Sequence, residues 1–396
     1  MPNPAPLDAA RFIDIHVIQS VPFANLNRDD TNSVKTVQYG HVLRTRVSSQ
    51  SWKRAARGEF EARLGQVALR TRRIGERVTR HLSEVRGWPE PLAEKAGAHA
   101  AAASSIKFEL AKDPKDLKQT VPNKVLTNAM VYVPETAVGE LADLAEEYRE
   151  GLEAAKDIKK PADRSVLPAD RVEAVLRSRN GVINLFGRML AEVDNAGVDG
   201  AVQVAHALTT HETDVELDYF SAVDDVTDTW GDQTGSGHMG HTEFSAGTFY
   251  RYATIDLRDL ARNIGGDPAE LRELTAAFLS AFILSLPQAK KNSTAPHTIP
   301  DLVHISVRTD RPLSYAAAFE SPVAAAGQGG FSAPSRATLS DYAAAANRLI
   351  GTSGILTSGW AGVDAKDLDA LGTHHTGFDA LIDAALDEAL RTGDEA

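Results

Sequence analysis

Strand-forming segments lie far apart along this chain, and a helical pattern follows the first of them and separates the last two. Residues 12–18 are short, aromatic and β-branched, which favours a strand. Residues 248–255 and 302–308 alternate with the two-residue period of a strand. One helical pattern begins near Gln50, and another, capped by Asp267, lies between the last two strands. The order strand, helix, long insertion, strand, helix, strand predicts an α+β domain of split βαβ type.

The composition changes at two places along the chain and predicts its domain organisation. Residues 58–197 are rich in Ala, Glu, Lys and Leu and are punctuated by prolines, which indicates a helical lobe inserted into the first domain. The first domain then consists of residues 8–57 and 198–360. The last segment, 361–396, is acidic and ends in an amphipathic helix near 378–390.

Residues 212–246 differ from the rest of the first domain. They hold nine acidic residues and neither Lys nor Arg. Because glycines recur through the segment, we expect no regular element there but a long, loop-like excursion from the sheet with few aromatic anchors. The glycines are Gly231, Gly235, Gly237 and Gly240, with Gly247 just after the segment, and the anchors are Tyr219, Phe220 and Trp230.

The charge is unevenly distributed. The formal net charge is −12, yet residues 1–80 hold 14 Lys and Arg against 7 Asp and Glu, while residues 81–396 hold 28 against 47. This asymmetry predicts one basic surface on an acidic body.

The chain has no cysteine, which excludes disulfides and thiolate chemistry. It shows neither a long apolar run nor a signal-peptide pattern, so we expect a cytoplasmic protein without a membrane span.

Basic and hydrogen-bonding side chains concentrate around the start of the helix near Gln50. Ser48 or Ser49 can cap this helix, and its first free N–H groups can bind an anion. Gln50, Lys53 and Arg57 lie three and seven residues apart, so they share one face beside an apolar stripe. So many donors suit a polyanion better than one phosphate; the alternative is a surface helix whose charges are merely solvated. Arg28, Arg44 and Arg46 could approach a bound phosphate from the preceding loops, and Arg54 lies on the helix itself.

No motif gives positive evidence of catalysis. Asp29 and Asp30 could bind Mg²⁺ or act as a general base, although an Asp-rich turn that caps its own N–H groups is the simpler interpretation. His238 and His241 lack a third ligand at zinc-site spacing. We therefore expect no catalytic residue, no metal site and no cofactor.

Two further motifs are ambiguous from residue type alone. In Gly187-Arg188-Met189, the glycine permits a tight backbone, the arginine could meet a phosphate, and the methionine could wedge against a base or pack in a core. Lys290-Lys291-Asn292, which follows the helix stop at Pro287, is a small basic turn.

Taken together, these motifs resemble the CasC (Cas-seven) family, which forms the backbone of the type I-E CRISPR Cascade complex. The resemblance extends over nearly the whole chain in the same order. The matching motifs are Leu26-Asn27-Arg28-Asp29-Asp30, Arg46-Val47-Ser48-Ser49-Gln50-Ser51, Lys53-Arg54-Ala55, Gly187-Arg188-Met189, Val198-Asp199-Gly200-Ala201, Ala205-His206-Ala207, Thr209-Thr210-His211, Ala222-Val223-Asp224-Asp225, Glu243-Phe244-Ser245 and Phe249-Tyr250-Arg251-Tyr252-Ala253.

The resemblance implies a hand-shaped subunit with an RRM-like (ferredoxin-like) palm, an inserted helical finger domain and a long thumb loop at 212–246. It also implies copies polymerised head-to-tail along a CRISPR guide RNA, with other Cascade subunits beside them and target DNA paired to the guide. Tyr219 and Phe220 would act at the thumb, and Arg188 and Met189 beside a displaced nucleotide. The residues implied to hold the guide backbone are Arg28, Asn32, Arg46, Ser48, Gln50, Lys53, Arg54 and Arg57.

Two other hypotheses remain open from the sequence. Related backbone subunits cleave target RNA through a loop aspartate, so a metal-dependent endoribonuclease using Asp29 or Asp30 is the main alternative to a non-catalytic scaffold. A plain dimeric interaction module is the third hypothesis.

Overall fold

The computed structural model describes residues 10–223, 236–364 and 368–391. The chain forms two compact units. We call the first the palm unit and the second the finger unit. The palm unit comprises residues 1–60, 202–261 and 266–396, and the finger unit comprises residues 61–201 and 262–265.

The described residues contain fourteen strands and twelve α-helices. The strands are β1 (Phe12–Ala24), β2 (Thr36–Tyr39), β3 (Val42–Val47), β4 (Ala68–Thr71), β5 (Phe108–Lys112), β6 (Thr120–Thr127), β7 (Val131–Pro134), β8 (Val202–Val204), β9 (Ala207–Thr209), β10 (Glu216–Val223), β11 (Ser236–Asp256), β12 (Leu302–Arg308), β13 (Ile355–Gly362) and β14 (Thr373–His374). The helices are Ser49–Leu64, Ile74–Arg80, Glu90–Ala102, Thr136–Glu147, Arg149–Ala154, Ala169–Arg177, Gly181–Phe186, Leu257–Ile264, Pro268–Leu284, Lys291–Thr294, Ser332–Ile350 and Phe378–Ala389.

A mostly antiparallel sheet forms the centre of the palm unit, with strand order β14-β13-β12-β1-β11-β9-β3-β2. The first strand lies between β11 and β12, and Ile15 pairs with Ala253 on one side and with Ile305 on the other. The central order β12-β1-β11-β9, with one helix after β1 and another between β11 and β12, is that of a split βαβ sheet. The predicted α+β fold class is therefore confirmed.

Two of the palm helices follow from local sequence signals. The first helix (Ser49–Leu64) buries Trp52, Ala56 and Phe60, which recur every four residues. The Pro268–Leu284 helix begins as predicted, because the Asp267 side chain accepts a hydrogen bond from the Ala269 N–H at 2.9 Å. Proline at the first helical position costs no hydrogen bond there.

The described parts of the thumb segment, residues 212–223 and 236–246, are more regular than the sequence predicted. Strand β10 pairs antiparallel with the first part of β11, and Gly237, Gly240 and Gly247 all lie within β11. The expectation that these glycines break every regular element was wrong. A Cβ on Gly240 would lie 2.5 Å from Cζ of Phe220, so a side chain on the partner strand occupies the space that glycine leaves. Gly231, Gly235 and Trp230 lie outside the described residues.

The finger unit combines helices with two small antiparallel sheets. Strand β4 pairs with β7, and β5 pairs with β6, so the expected helical lobe also contains short hairpin-like elements. Its core is built from many small side chains, including Ala93, Ala96 and Ala142, which are all fully buried. No helix in the described parts of either unit is long and apolar enough to cross a membrane.

Candidate nucleic-acid interface

The palm unit carries an open groove of about 950 Å³. Three segments form its walls: the loop at 26–32, one face of the first helix, and the chain at 284–297. Four cationic side chains line it together with two carboxylates, so the groove is positive on balance. These are the cations Arg28, Arg54, Arg57 and Lys291 and the acids Asp29 and Glu59; other lining residues include Asn27, Asn32, Ser51, Gln288 and His297.

The apolar stripe of the first helix decides which side chains reach the groove. Trp52 and Ala56 are buried against the sheet side, so the helix must turn other positions outward. Arg54 is exposed and Arg57 half-buried, and both line the groove. The structure thus brings these two predicted site residues together with Arg28.

The shared face predicted for Gln50, Lys53 and Arg57 divides in the structure. Arg57 lines the groove, whereas Lys53 Nζ donates to the carbonyl of Val202 at 3.4 Å. Gln50 is exposed, and its Oε1 accepts from the Ser49 hydroxyl at 3.4 Å. The helix therefore directs Arg57 towards the groove and Lys53 towards Val202, so the three residues do not act as one surface.

The loop at 26–32 is held by the carboxylate of Asp29. Its Oδ1 accepts from the Thr31 N–H at 2.9 Å, the Thr31 hydroxyl at 2.8 Å and the Ser33 N–H at 2.9 Å. These bonds, that from the Thr31 hydroxyl most of all, lower the pKa of Asp29. Arg28 Nη1 donates to Oδ1 of Asn32 at 3.0 Å, and Asn32 has a left-handed φ of 68°. The geometry favours the turn interpretation of Asp29.

Asp30 is exposed beside this turn. Within residues 10–223, 236–364 and 368–391, no group of three or more His, Cys, Asp or Glu side chains is placed to hold a metal ion. The side chain of His238 lies outside the described residues.

The first N–H groups of the first helix already have partners. The Ser48 N–H donates to Oδ1 of Asn27 at 2.8 Å, and the Ser49 N–H donates to Nδ1 of His206 at 3.0 Å. Arg46 Nη1 lies 3.2 Å from the same Nδ1. The expectation of free N–H groups is corrected for these two amides, and the predicted residues Arg46 and Ser48 both lie beside this helix start.

Residue patterns do not identify His206 at the helix start, or Lys291 and His297 in the groove, as parts of this surface. His206 stands out only within the motif Ala205-His206-Ala207, and nothing local to it indicates a contact with residues 157 and 160 positions earlier. Lys291 belongs to a basic turn that is ambiguous by residue type, and no pattern singles out His297. The sheet order and the chain path after the Pro268–Leu284 helix bring them to the palm surface.

Arg44 is a structural residue and does not belong to the candidate nucleic-acid interface. It is completely buried, and its guanidinium donates to main-chain carbonyls. Burial lowers its pKa. The acceptors are Tyr39 O at 3.3 Å, Thr209 O at 2.9 Å and Phe319 O at 3.0 Å. The expectation that Arg44 approaches a phosphate is therefore wrong.

Arg188 is also buried, inside the finger unit, with 4% of its surface exposed. Burial lowers its pKa to about 10, so it remains charged at neutral pH. The guanidinium donates to the carbonyls of Ala196 at 2.7 Å, Tyr132 at 3.2 Å, Ser178 at 2.8 Å and Arg177 at 3.0 Å. Because these four bonds commit the guanidinium to the protein, the geometry does not support the expected contact between this side chain and a nucleotide phosphate.

Met189 contrasts with its neighbour, because 92% of its surface is exposed. Gly187 sets this arrangement: it has a φ of 81°, and a Cβ there would lie 2.7 Å from the Gly200 nitrogen. The motif thus buries its arginine and presents its methionine.

The thumb hairpin exposes large apolar side chains. Tyr219 is 75% exposed and Phe220 45% exposed. Neighbouring strand positions point to opposite faces, so these two rings lie on different faces of the hairpin. Tyr219 shares its face with Leu217 and with Met239, which pairs with Ser221; both are more than half exposed. These apolar side chains can contact the faces of nucleotide bases.

Comparisons with known proteins show the family to which the chain belongs. A family model described as CT1975-like protein matches residues 13–388, and the chain belongs to that family. A solved chain titled "CRISPR RNA-guided surveillance complex, pre-nicking" is 46% identical, with a TM-score of 0.85 over 96% of this chain and 100% of its own length. Another, titled "CRISPR RNA-guided surveillance complex", is 41% identical, with a TM-score of 0.75 over 95% and 99%. These likenesses support a Cas-seven-family protein. No curated protein matches the chain.

Proposed function

We propose that this chain is the guide-RNA-binding backbone subunit of a CRISPR surveillance complex, and more specifically of the CasC branch that builds type I-E Cascade. The cationic palm groove carries the proposal, because three segments distant in sequence bring Arg28, Arg54, Arg57 and Lys291 to one surface. The likeness to chains of RNA-guided surveillance complexes supports it.

The groove suits the backbone of a nucleic acid better than its bases. Guanidinium and ammonium groups pair with phosphate oxygens, and such contacts position a strand without reading its sequence. Specificity would then come from pairing between guide and target DNA, while the protein holds the guide's shape. Met189, Tyr219 and Phe220, all exposed, would lie against displaced nucleotides.

Removing groove cations tests the proposal. The double variant Arg54→Ala/Arg57→Ala should bind a single-stranded guide about tenfold more weakly, or weaker still. Its salt dependence should also flatten by roughly 0.7 in log–log slope for each phosphate that the protein no longer neutralises. Arg348→Ala, an exposed arginine at the end of the Ser332–Ile350 helix, is the matched control and should bind like the parent.

The measurement is fluorescence anisotropy over several salt concentrations and at least two unrelated guide sequences. A similar loss in the Arg348 control would mean that only general charge matters. A loss confined to one guide sequence would contradict sequence-independent binding. RNA-free protein that binds no guide at all would favour the dimeric interaction module.

Polymerisation along the guide is the second part of the proposal. Copies would add head-to-tail, beside other Cascade subunits in the cytoplasm. Purified protein mixed with guides of increasing length should give complexes whose mass rises in regular steps, as measured by light scattering after size exclusion. A mass independent of guide length would contradict a filament.

A further inference from the structure

A histidine occupies the position at the first helix where a bound anion would be expected. His206 Nδ1 lies 3.0 Å from the Ser49 nitrogen and 3.2 Å from Arg46 Nη1. A main-chain N–H and a guanidinium can only donate, so Nδ1 must be the unprotonated ring nitrogen. The lone pair of one neutral imidazole therefore engages two donors that could otherwise bind a phosphate oxygen.

Protonation would reverse this arrangement. An imidazolium has N–H groups at both ring nitrogens, so Nδ1 would face the Ser49 N–H and the Arg46 guanidinium with no lone pair to accept them. Both bonds would break, and His206 would become a third donor. The side chain is exposed, so the ring has room to turn away.

We propose that His206 is a proton-operated placeholder for a guide phosphate. The neutral imidazole accepts hydrogen bonds from the Ser49 N–H and from Nη1 of Arg46. When the imidazole is protonated, both donors become available to a phosphate of the RNA. His206 is thus a positioning residue that acts through Arg46 and Ser49. This inference rests on the proposed function, because it concerns the same palm surface.

The surrounding charges support a coupling between protonation and RNA. Partial burial, Arg46 on β3 and Lys35, just before β2, all lower the pKa of His206, and both of these charged groups are cations. A phosphate placed among them would offset their repulsion and favour the imidazolium. Linkage then requires RNA binding to take up a proton, and acidification to tighten binding.

Three proteins distinguish a placeholder from an ordinary contact. His206→Ala removes the acceptor and leaves the two donors available. His206→Gln keeps an amide oxygen that can accept but cannot be protonated in this range. His374→Gln, at an exposed side chain on β14 outside the groove lining, is the matched control for the loss of a histidine elsewhere on the palm unit. Affinity for a short fluorescein-labelled single-stranded RNA is measured from about pH 5.5 to about pH 8.5, a range that brackets the ordinary histidine pKa.

The parent protein should bind about tenfold more tightly at the acid end, the effect expected of one charge-assisted hydrogen bond. His206→Ala should bind at the alkaline end at least as tightly as the parent, although it has lost a basic residue. His206→Gln should keep the weak, alkaline affinity at both ends. His374→Gln should bind like the parent at both ends of the pH range.

Calorimetry of RNA binding in two buffers of different ionisation enthalpy adds a direct readout. The parent should take up protons near neutral pH, and His206→Gln should take up fewer. Weaker alkaline binding by His206→Ala, or unchanged proton uptake by His206→Gln, would overturn the placeholder. If the parent bound RNA at no pH, the proposed function itself would fail.

Discussion

The guanidinium of Arg251 lies against the indole of Trp52, with Cζ 3.8 Å from the ring centroid. The Phe282 ring lies 4.7 Å from the same carbon. Arg251 comes from β11, Trp52 from the first helix and Phe282 from the Pro268–Leu284 helix, and all three are almost completely buried. Burial lowers the pKa of Arg251 to about 9. One cation thus joins these two helices to the central sheet.

Truncating this stack should destabilise the palm unit. We expect Trp52→Ala to cost about 3–5 kcal/mol of unfolding free energy, because it leaves a cavity and removes an aromatic face that stacks on a buried cation. Trp52→Phe keeps an aromatic face and should cost clearly less. Urea denaturation measures both. Leu349→Ala, at a side chain 86% exposed, is the control, and an equal loss there would refute the argument.

The two residues of the motif Arg188-Met189 should separate stability from RNA binding. Arg188→Ala leaves four carbonyls, two buried and two partly buried, without their donor and should cost about 2–5 kcal/mol of unfolding free energy. Arg188→Lys should not restore the lost stability, because one ammonium group cannot reproduce the planar set of N–H donors of the guanidinium. Met189→Ala should leave the denaturation midpoint unchanged while weakening guide binding. A stable Arg188→Ala that loses RNA would contradict this division.

The sequence specified the elements that have strong local signals. Strand β12 has the predicted bounds, and the Asp267 cap and the Trp52 stripe are where pattern placed them. These succeed because periodicity and capping depend only on neighbouring residues. The β-hairpin of the thumb was missed, since its glycines are accommodated by a cross-strand ring, Phe220, which no local pattern shows.

The candidate site was predictable only in part, for a related reason. A basic residue that binds phosphate and one that binds main-chain carbonyls have the same side chain, so Arg44 and Arg188 could not be told from Arg54 by residue type. Only burial separates them. His206 reaches Ser49 through strand pairing between distant segments, which one sequence does not reveal.

Acid should destabilise the palm unit through His304. This side chain is buried, its ring nitrogen Nδ1 lies 2.9 Å from the Gly359 carbonyl, and burial lowers its pKa to about 4. The unfolded chain, with an ordinary pKa of about 6.5, therefore takes up the proton first. The contribution is fully present above about pH 6.5 and is lost as pH falls towards 4, by roughly 3 kcal/mol.

Comparison with a variant isolates this contribution. Burial raises the pKa of Asp14 to about 6, which favours folding at acid pH and opposes the histidine effect in the parent. His304→Gln lacks the His304 contribution and keeps those of Asp14 and of the buried His16, whose pKa burial also lowers, so its unfolding free energy should fall less between about pH 6.5 and about pH 4. Urea titrations at each pH give both curves. Parallel curves would show that His304 does not carry the effect.

The turn interpretation of Asp29 predicts that shape, not charge, matters at this position. Asp29→Asn keeps an Oδ1 acceptor for the Thr31 and Ser33 N–H groups and should bind guide RNA almost like the parent. Asp29→Ala frees the loop that carries Arg28 and should bind several-fold more weakly, as measured by anisotropy. The assembled complex is also incubated with complementary RNA and Mg²⁺. If the parent cleaves that RNA at regular intervals and the cleavage is lost in both Asp29 variants or in Asp30→Ala, the endoribonuclease alternative is favoured instead.

The charges of thumb and palm predict how neighbouring copies meet. Strand β10 carries the exposed acids Glu216 and Asp218, while the groove exposes Arg54. A contact between unlike faces of successive copies would propagate head-to-tail. We therefore expect Asp218→Lys and Arg54→Glu each to shorten assemblies on a long guide, because each places like charges together.

Combining the two changes is the decisive experiment. If the thumb of one copy docks on the palm of the next, the double variant restores opposite charges at every junction and should recover assembly mass beyond what the single variants allow. Light scattering after size exclusion measures that mass at low salt, where charge pairing is strongest. RNA affinity of isolated copies is measured in parallel, since Arg54→Glu also weakens the groove. A double variant no better than the weaker single variant would rule out the charge contact.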